Sequence, residues 1–343
     1  MLDDLQLINQ RDPSDALGIA ERQCDQLSYQ FDFSSSQFEP SNIVYSGIGG
    51  SSVAGRISKA WLDYSLPFEI ISNYDIPGYV SNTTLFIACS YSGDTEETLS
   101  AIEQAAAKDA KICVIATGGK MVEIAKQRDY PYIVLPAAEQ PRFGVLYHLN
   151  ALVALLGAFG LIDQQLRKSE LTSSIQLLKE SVSEWQSVIP SDKNLAKQIA
   201  IESAGKSVVI YTGPKLVPAA YKWKIDYNEN AKQLAWWNEY PELNHNEFIG
   251  WTEQPPIKPY SVIDLRSDLE AEQINKRFKI TAKLLSGRRP EPITVNAKGA
   301  NLIEQLLYLV MLGDFTTIYS SILAGVNPIP VDLVSKFKKE LES

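Results

Sequence analysis

The sequence predicts an α/β protein made of two similar domains, each a parallel sheet flanked by helices. Two observations carry this reading. In the first half, short apolar runs rich in β-branched residues alternate with helix-like stretches, which is the pattern of βαβ units. In the second half the same plan of strand, glycine-bearing turn and helix returns less regularly. A boundary near residue 163 follows, with one domain over 1–162 and the other over 163–343.

Taken in order, Asn42–Gly47, Phe68–Ser72, Leu85–Ser90, Ile112–Thr117 and Tyr132–Leu135 read as strands. Between them, Ser52–Leu62, Thr95–Lys108 and Met121–Gln127 read as helices. Arg142-Phe-Gly precedes Val145–Ile162, an apolar stretch broken by Tyr147, His148 and Asn150, which suits a buried helix better than a membrane span. Further helices are expected over Glu170–Ile189, Asn194–Ala204, Pro218–Leu234, Glu270–Leu285, Leu302–Leu323 and Val331–Leu341. The remaining strands fall at Ser207–Thr212, Tyr260–Leu265 and Ile293–Asn296. The stretch ahead of Asn42 offers no usable motif.

Composition excludes several classes of function. There are 32 basic and 41 acidic residues, a net charge of −9, which argues against nonspecific binding to nucleic acid or anionic membrane. The polar, acidic N-terminus has no basic segment followed by an apolar one, so no signal peptide is expected. Cys24, Cys89 and Cys113 are odd in number and fit no zinc spacing; a reducing cytoplasm is expected. With only His148 and His245, a histidine-based metal site is improbable, and neither a metal nor another cofactor is expected.

Two loops carry the chemistry. Asn42-Ile-Val-Tyr-Ser-Gly-Ile-Gly-Gly-Ser-Ser-Val-Ala-Gly55 is a strand, a glycine-serine turn and a helix start, in which Gly47, Gly49 and Gly50 allow close backbone approach and Ser51 and Ser52 can cap the helix. It is not a dinucleotide fingerprint, because Ser52 stands where the third glycine belongs, and it lacks the Gly-Lys-Ser/Thr of a P-loop. The second, Leu85-Phe-Ile-Ala-Cys-Ser-Tyr-Ser-Gly-Asp-Thr-Glu-Glu-Thr98, places the hydroxyls of Ser90, Ser92 and Thr95 at the carboxyl end of a strand, where open α/β sheets bind ligands. Asp94 and Glu96 would repel an anion there unless they point away, for instance by capping the helix.

The pair Gly-x-Gly-Gly-Ser and Ser-x-Ser-Gly-x-Thr-x-Glu resembles the sugar isomerase (SIS) domain. That resemblance implies two SIS-type domains and a phosphosugar ligand, whose phosphate would be held by Gly50, Ser51, Ser90, Ser92 and Thr95. Asn228-Glu-Asn-Ala-Lys and Glu242-Leu-Asn-His-Asn-Glu are similar to segments of the bifunctional phosphoglucose/phosphomannose isomerase family. The resemblance, which runs from Gly47 to Leu341, implies Glu229 as the base, His245 as an assistant in ring opening and Arg142 of Pro141-Arg142 as the group that stabilises the enediolate. It also implies a C-terminal lysine; among Lys336, Lys338 and Lys339, alignment of Val334, Phe337 and Leu341 favours Lys338.

The implied activity is reversible isomerisation of glucose 6-phosphate and fructose 6-phosphate through an enediol, with mannose 6-phosphate a possible further substrate. The implied assembly is a homodimer with a shared active site. One departure weighs on mannose 6-phosphate. The family's threonine before the C-terminal lysine has no counterpart in Asn327-Pro-Ile-Pro-Val-Asp. A noncatalytic SIS regulator would account for the serine loops but not for Glu229, His245 and Arg142 together, and no basic recognition helix is present to read DNA. A glucosamine 6-phosphate synthase would carry a cysteine after Met1, where Leu2 stands.

Overall fold

The computed structural model describes residues 1–34, 37–253 and 259–341. The chain starts with α1 (Leu5–Arg11) and α2 (Ala16–Arg22), then enters β1 (Asn42–Ser46), α3 (Gly50–Trp61), β2 (Phe68–Ile71), β3 (Thr84–Cys89) and α4 (Glu96–Ala106). It continues through β4 (Lys111–Ala116), α5 (Gly119–Gln127), β5 (Tyr132–Val134), α6 (Val145–Ala158), α7 (Gln164–Trp185) and α8 (Leu195–Ser203). The rest comprises β6 (Ser207–Thr212), α9 (Val217–Glu229), β7 (Ala235–Glu239), α10 (Glu247–Gly250), β8 (Tyr260–Arg266), α11 (Glu272–Leu284), β9 (Ile293–Asn296), α12 (Leu302–Ala324) and α13 (Asp332–Leu341). Two compact units result. One holds Arg22–Lys179 and Gly299–Leu306; the other holds Met1–Glu21, Glu180–Lys298 and Leu307–Ser343.

The first unit contains a parallel sheet of order β2-β1-β3-β4-β5. Every residue of β3 is buried, as expected of a strand covered on both faces of a parallel sheet. One side of the core gathers Val44, Phe86, Ala88, Ile102, Val114 and Met121. Each large aliphatic or aromatic side chain buried this way contributes about 1.5–3 kcal/mol. The second unit contains a parallel sheet of order β7-β6-β8-β9, the first unit's order less one edge strand. Its helix α12 is long and apolar enough to span a membrane, but 94% of its apolar window is buried in the protein.

Three expectations change. The N-terminal stretch without a motif forms α1 and α2. The Asp4 carboxylate accepts from the N–H groups of Gln6 and Leu7, and that of Asp12 from Ala16 and Leu17, so both helices start on aspartate caps. The helix expected over Pro218–Leu234 stops at Glu229, and Ala235–Glu239 forms the edge strand β7, which alternation did not flag. Helix α6 ends at Ala158, two residues before Gly160 turns into positive φ, rather than at Ile162.

Candidate active site

The first loop leaves β1 through Gly47 and Ile48 and enters α3 at Gly49, whose φ of +56° is the left-handed conformation that favours glycine. The helix therefore begins at Gly50, and Ser51 and Ser52 lie in its first turn instead of capping it. The Ser52 hydroxyl donates to the Gly49 carbonyl at 2.8 Å. Ser51 Oγ accepts the Tyr91 N–H at 2.9 Å, which ties the first loop to the second and leaves the Ser51 proton available to an acceptor.

In the second loop Ser90 is buried, and its Oγ lies 2.7 Å from Thr95 Oγ1 and 3.5 Å from Ser92 Oγ. It also accepts the Gly93 N–H at 3.1 Å. Gly93 has φ +77°, and a Cβ there would stand 1.9 Å from the Gly118 carbonyl oxygen, so only glycine closes this turn. Asp94 does cap a helix, but not the one that follows it: its carboxylate accepts the Lys120 N–H at 2.9 Å, in the first turn of α5. Thr95 precedes α4 without capping it, because its hydroxyl is engaged with Ser90. Hydroxyls therefore converge beside the N-terminus of α4, where backbone dipoles and unpaired N–H groups favour an anion.

Arg142 lies in the 3-10 turn Pro141–Phe143, is 1% exposed, and carries its guanidinium 5.0 Å over the Phe143 ring. A Cβ on Gly50 would sit 3.2 Å from the Arg142 nitrogen and from the Pro141 carbonyl, so the start of α3 packs directly on this turn. Nearby on α6, His148 is fully buried, and burial pushes its pKa down to about 4 against a smaller opposing effect of its Gly144 hydrogen bond. The ring is neutral at pH 7. With Nδ1 donating to the Gly144 carbonyl at 2.9 Å, Nε2 is an acceptor without a hydrogen-bond partner among the described residues.

In the second unit Glu229 ends α9 and is half-buried. The asparagines on either side fix the backbone around it. Asn228 donates to the Gln233 carbonyl at 2.8 Å, and Asn230 to Thr317 Oγ1 on α12 at 2.9 Å. Lys232, at φ +54°, donates to the Glu229 carbonyl at 2.6 Å. Two helical turns back, Lys222 binds the carboxylates of Asp226 and, across to α12, Asp314 at 2.6 and 2.7 Å, all three fully buried. Burial alone would lower the Lys222 pKa, but the two carboxylates hold it above its ordinary value. Removing one member of such a group costs about 3–5 kcal/mol, so α9 is firmly seated.

A cavity of about 780 Å³ opens beside Glu229, with Lys232, Asn327, Asp332 and Leu333 among its walls. The structure does not bring Lys338 to this cavity. Helix α13 lines it only with Asp332–Val334, and Lys336, Lys338 and Lys339 are exposed. His245 ends the 3-10 turn Glu242–His245 and is exposed, while its neighbours are anchored. Asn244 bonds Thr281 and Arg277, Asn246 donates to Glu242, and Glu247 accepts from Tyr211 and from Asn238. Sequence reasoning missed the anchors Asp314, Thr317 and Tyr211, which lie far along the chain. Only Lys222 and Asp226, four apart on one helix, left a readable sign.

Paired parallel sheets, with hydroxyl-rich turns at the strand ends of one of them, define a two-domain SIS protein. The SIS domain matches residues 38–162, and the bacterial phospho-glucose isomerase C-terminal SIS domain matches residues 192–341. A glucose-6-phosphate isomerase-like protein from Thermus thermophilus has the same fold, with a TM-score of 0.67 and 18% identity over 98% of both chains. The bifunctional phosphoglucose/phosphomannose isomerase of Thermoplasma volcanium is 33% identical over 92% of this chain and 96% of its own. The D-glucosamine-6-phosphate 4-epimerase of Sulfolobus acidocaldarius is 33% identical over 71% of this chain and 78% of its own. The chain belongs to the bifunctional phosphoglucose/phosphomannose isomerase family.

Proposed function

We propose that this protein reversibly isomerises glucose 6-phosphate and fructose 6-phosphate, accepts mannose 6-phosphate as a further substrate, and uses no metal or nucleotide. The observation that carries the reading is the lock around Glu229. A carboxylate whose two neighbouring asparagines are committed to holding the backbone is placed for chemistry rather than for packing. In this reading the phosphate is bound by Ser51, Ser90, Ser92, Thr95 and the N–H groups at Gly50. Glu229 moves a proton between C1 and C2 of the open-chain sugar. Arg142 stabilises the enediolate, and His245 and Lys338 assist ring opening.

The same reading takes the protein to be a cytoplasmic homodimer with a shared active site. Three free, buried cysteines suit a reducing compartment. The exposed His245, and an α13 that exposes Leu333, Val334, Phe337 and Leu341, suit a surface completed by a second copy. Sedimentation of the purified protein at micromolar concentration is expected to give the dimer mass.

The test of function is a coupled assay with fructose 6-phosphate in the presence of a chelator, scoring glucose 6-phosphate and mannose 6-phosphate separately, alongside the Glu229→Gln variant. Both products are expected, and the substitution should lower kcat about 1,000-fold while leaving phosphate-ester binding in place. Full turnover by the variant removes Glu229 from the role of base. No hexose 6-phosphate product, together with epimerisation of glucosamine 6-phosphate, would move the chain to the epimerase chemistry.

A further inference from the structure

Tyr91 stands between two residues assigned to phosphate binding, yet the proposed chemistry gives it no part. Its bonds reach three loops. Its N–H donates to Ser51 Oγ at 2.9 Å, in the first turn of α3. Its carbonyl accepts from both the N–H and the hydroxyl of Thr117, at 3.0 and 2.6 Å. Its phenol accepts the Ala138 N–H at 2.6 Å and donates to the Ala138 carbonyl. Ala138 lies four residues before Arg142 in a segment without regular structure until the turn at Pro141.

The ring itself packs against the start of α6. A Cβ on Gly144 would stand 3.3 Å from Tyr91 Cε2 and 3.6 Å from the Ala138 methyl, so the residue that follows the Arg142 turn is bare where the ring passes. His148, four residues further on, has its ring centre 6.2 Å from that of Tyr91. The segment carrying Arg142 is thus fixed before the turn by the Tyr91 hydroxyl and after it by contact with the Tyr91 ring. Gly50 closes the same set from the first loop, where its bare Cα meets the backbone of Pro141 and Arg142.

We propose that Tyr91 is a positioning residue that holds the Arg142 turn in register with the phosphate loops. Bound phosphate and the charge-stabilising guanidinium then act on one substrate in fixed geometry. This rests on the reading of Arg142 given above. A phenol is needed because the two bonds to Ala138 require a group that donates and accepts at the same point, and serine or threonine is too short to reach from this backbone position. Misplacing a catalytic group by an ångström is enough to cost turnover while leaving the bulk of substrate binding intact.

The test compares Tyr91→Phe, Gly144→Ala, Arg142→Ala and the double variant Tyr91→Phe/Arg142→Ala, as purified full chains, in the isomerase assay, with inorganic phosphate affinity and melting temperature measured on each. Tyr91→Phe keeps the ring and the backbone bonds to Ser51 and Thr117. Its expected result is a kcat lower by about tenfold, a KM within about twofold, and an unchanged phosphate affinity. Gly144→Ala keeps the hydroxyl but presses on the ring, and should lower kcat by a smaller factor. The double variant should be no slower than Arg142→Ala alone, because Tyr91 acts only through that residue. A Tyr91→Phe enzyme with undiminished kcat overturns the proposal, as does one whose loss multiplies that of Arg142→Ala. So does a raised KM for sugar phosphate and weakened inorganic phosphate binding with kcat intact, which would make Tyr91 part of the phosphate cradle. If Arg142→Ala itself turns over at full rate, the assignment of Arg142 falls, and the inference with it.

Discussion

The two sheets share a strand order, and their corresponding turns differ in what fills them. β1 and β6 each pair with the strand that follows and with the one after that, so the turns after β1 and β3 correspond to those after β6 and β8. After β3, Ser90 accepts the N–H of Gly93 three residues on. After β8, Ser267 accepts the N–H of Leu269 two residues on. The local device is the same, but the contents differ. The first unit sets hydroxyls around its helix starts. In the second, the Glu270 carboxylate accepts the Lys215 N–H at 2.8 Å at the entrance to α9 and fills the space where a Cβ on Gly213 would stand. The place proposed for an external anion in the first domain is filled by an internal carboxylate in the second.

The largest effect is expected at the tightest point of the first domain's loop. Gly93→Ala would drive a methyl into the Gly118 carbonyl at positive φ, so the turn carrying Ser90, Ser92 and Thr95 must rearrange. We expect a loss of about 3 kcal/mol or more in stability and no measurable phosphate binding, read from urea unfolding and from titration with phosphate. Near-native binding by this variant would mean that the cradle does not depend on the turn.

His148 sharpens the comparison through pH, since the second unit's histidine is exposed and this one is sealed. Its folded pKa is depressed to about 4, so the unfolded chain takes up a proton at a pH where the folded one does not. The stability it contributes is complete above about pH 6.5 and is lost as pH falls from there toward 4. The loss amounts to about 3 kcal/mol at the acid end. Urea midpoints of the protein and of His148→Asn, followed from about pH 7 to about pH 4.5 across that window, are expected to show the variant losing stability less steeply. Parallel curves would show that His148 is not held neutral.

How much of this the sequence disclosed follows from how local each feature is. The sheet of the first unit was readable because buried parallel strands are unbroken β-branched runs, and the hydroxyl turn because Ser90, Ser92, Gly93 and Thr95 lie within six residues. The strand at Ala235–Glu239 was hidden by its place at the sheet edge, where Trp236 is half exposed and the short apolar run Leu234–Trp237 adjoins the stretch that reads as a helix. The placement of Asp94 was hidden for a different reason. Sequence shows a carboxylate beside a helix start but not the second helix start, at Lys120, that folding brings to it. Glu229 and His245 became candidates only through family resemblance. The asparagines beside them, Asn230 and Asn244, are anchored by Thr317 and Thr281, which lie 87 and 37 positions further along the chain.

The smallest effect tests the exchange of an external anion for an internal one. Ser90→Ala removes a hydroxyl from the proposed cradle; it should raise KM about tenfold, since a hydrogen bond to a charged group is worth about 1.5–3 kcal/mol, and the buried Gly93 N–H left without its acceptor should cost about 1–3 kcal/mol in stability. Glu270→Ala tests the other turn. Burial raises the Glu270 pKa and the Lys215 N–H bond only partly offsets that, so at neutral pH the charge itself works against the fold; its loss together with that bond should change stability by no more than about 1 kcal/mol. KM should stay within about twofold. The vacated seat keeps the Lys215 N–H at the approach to α9, and inorganic phosphate should therefore raise the melting temperature of Glu270→Ala by more than that of the unaltered protein. Equal shifts would mean that Glu270 fills a gap in packing, and that the likeness between the two turns ends with their backbones.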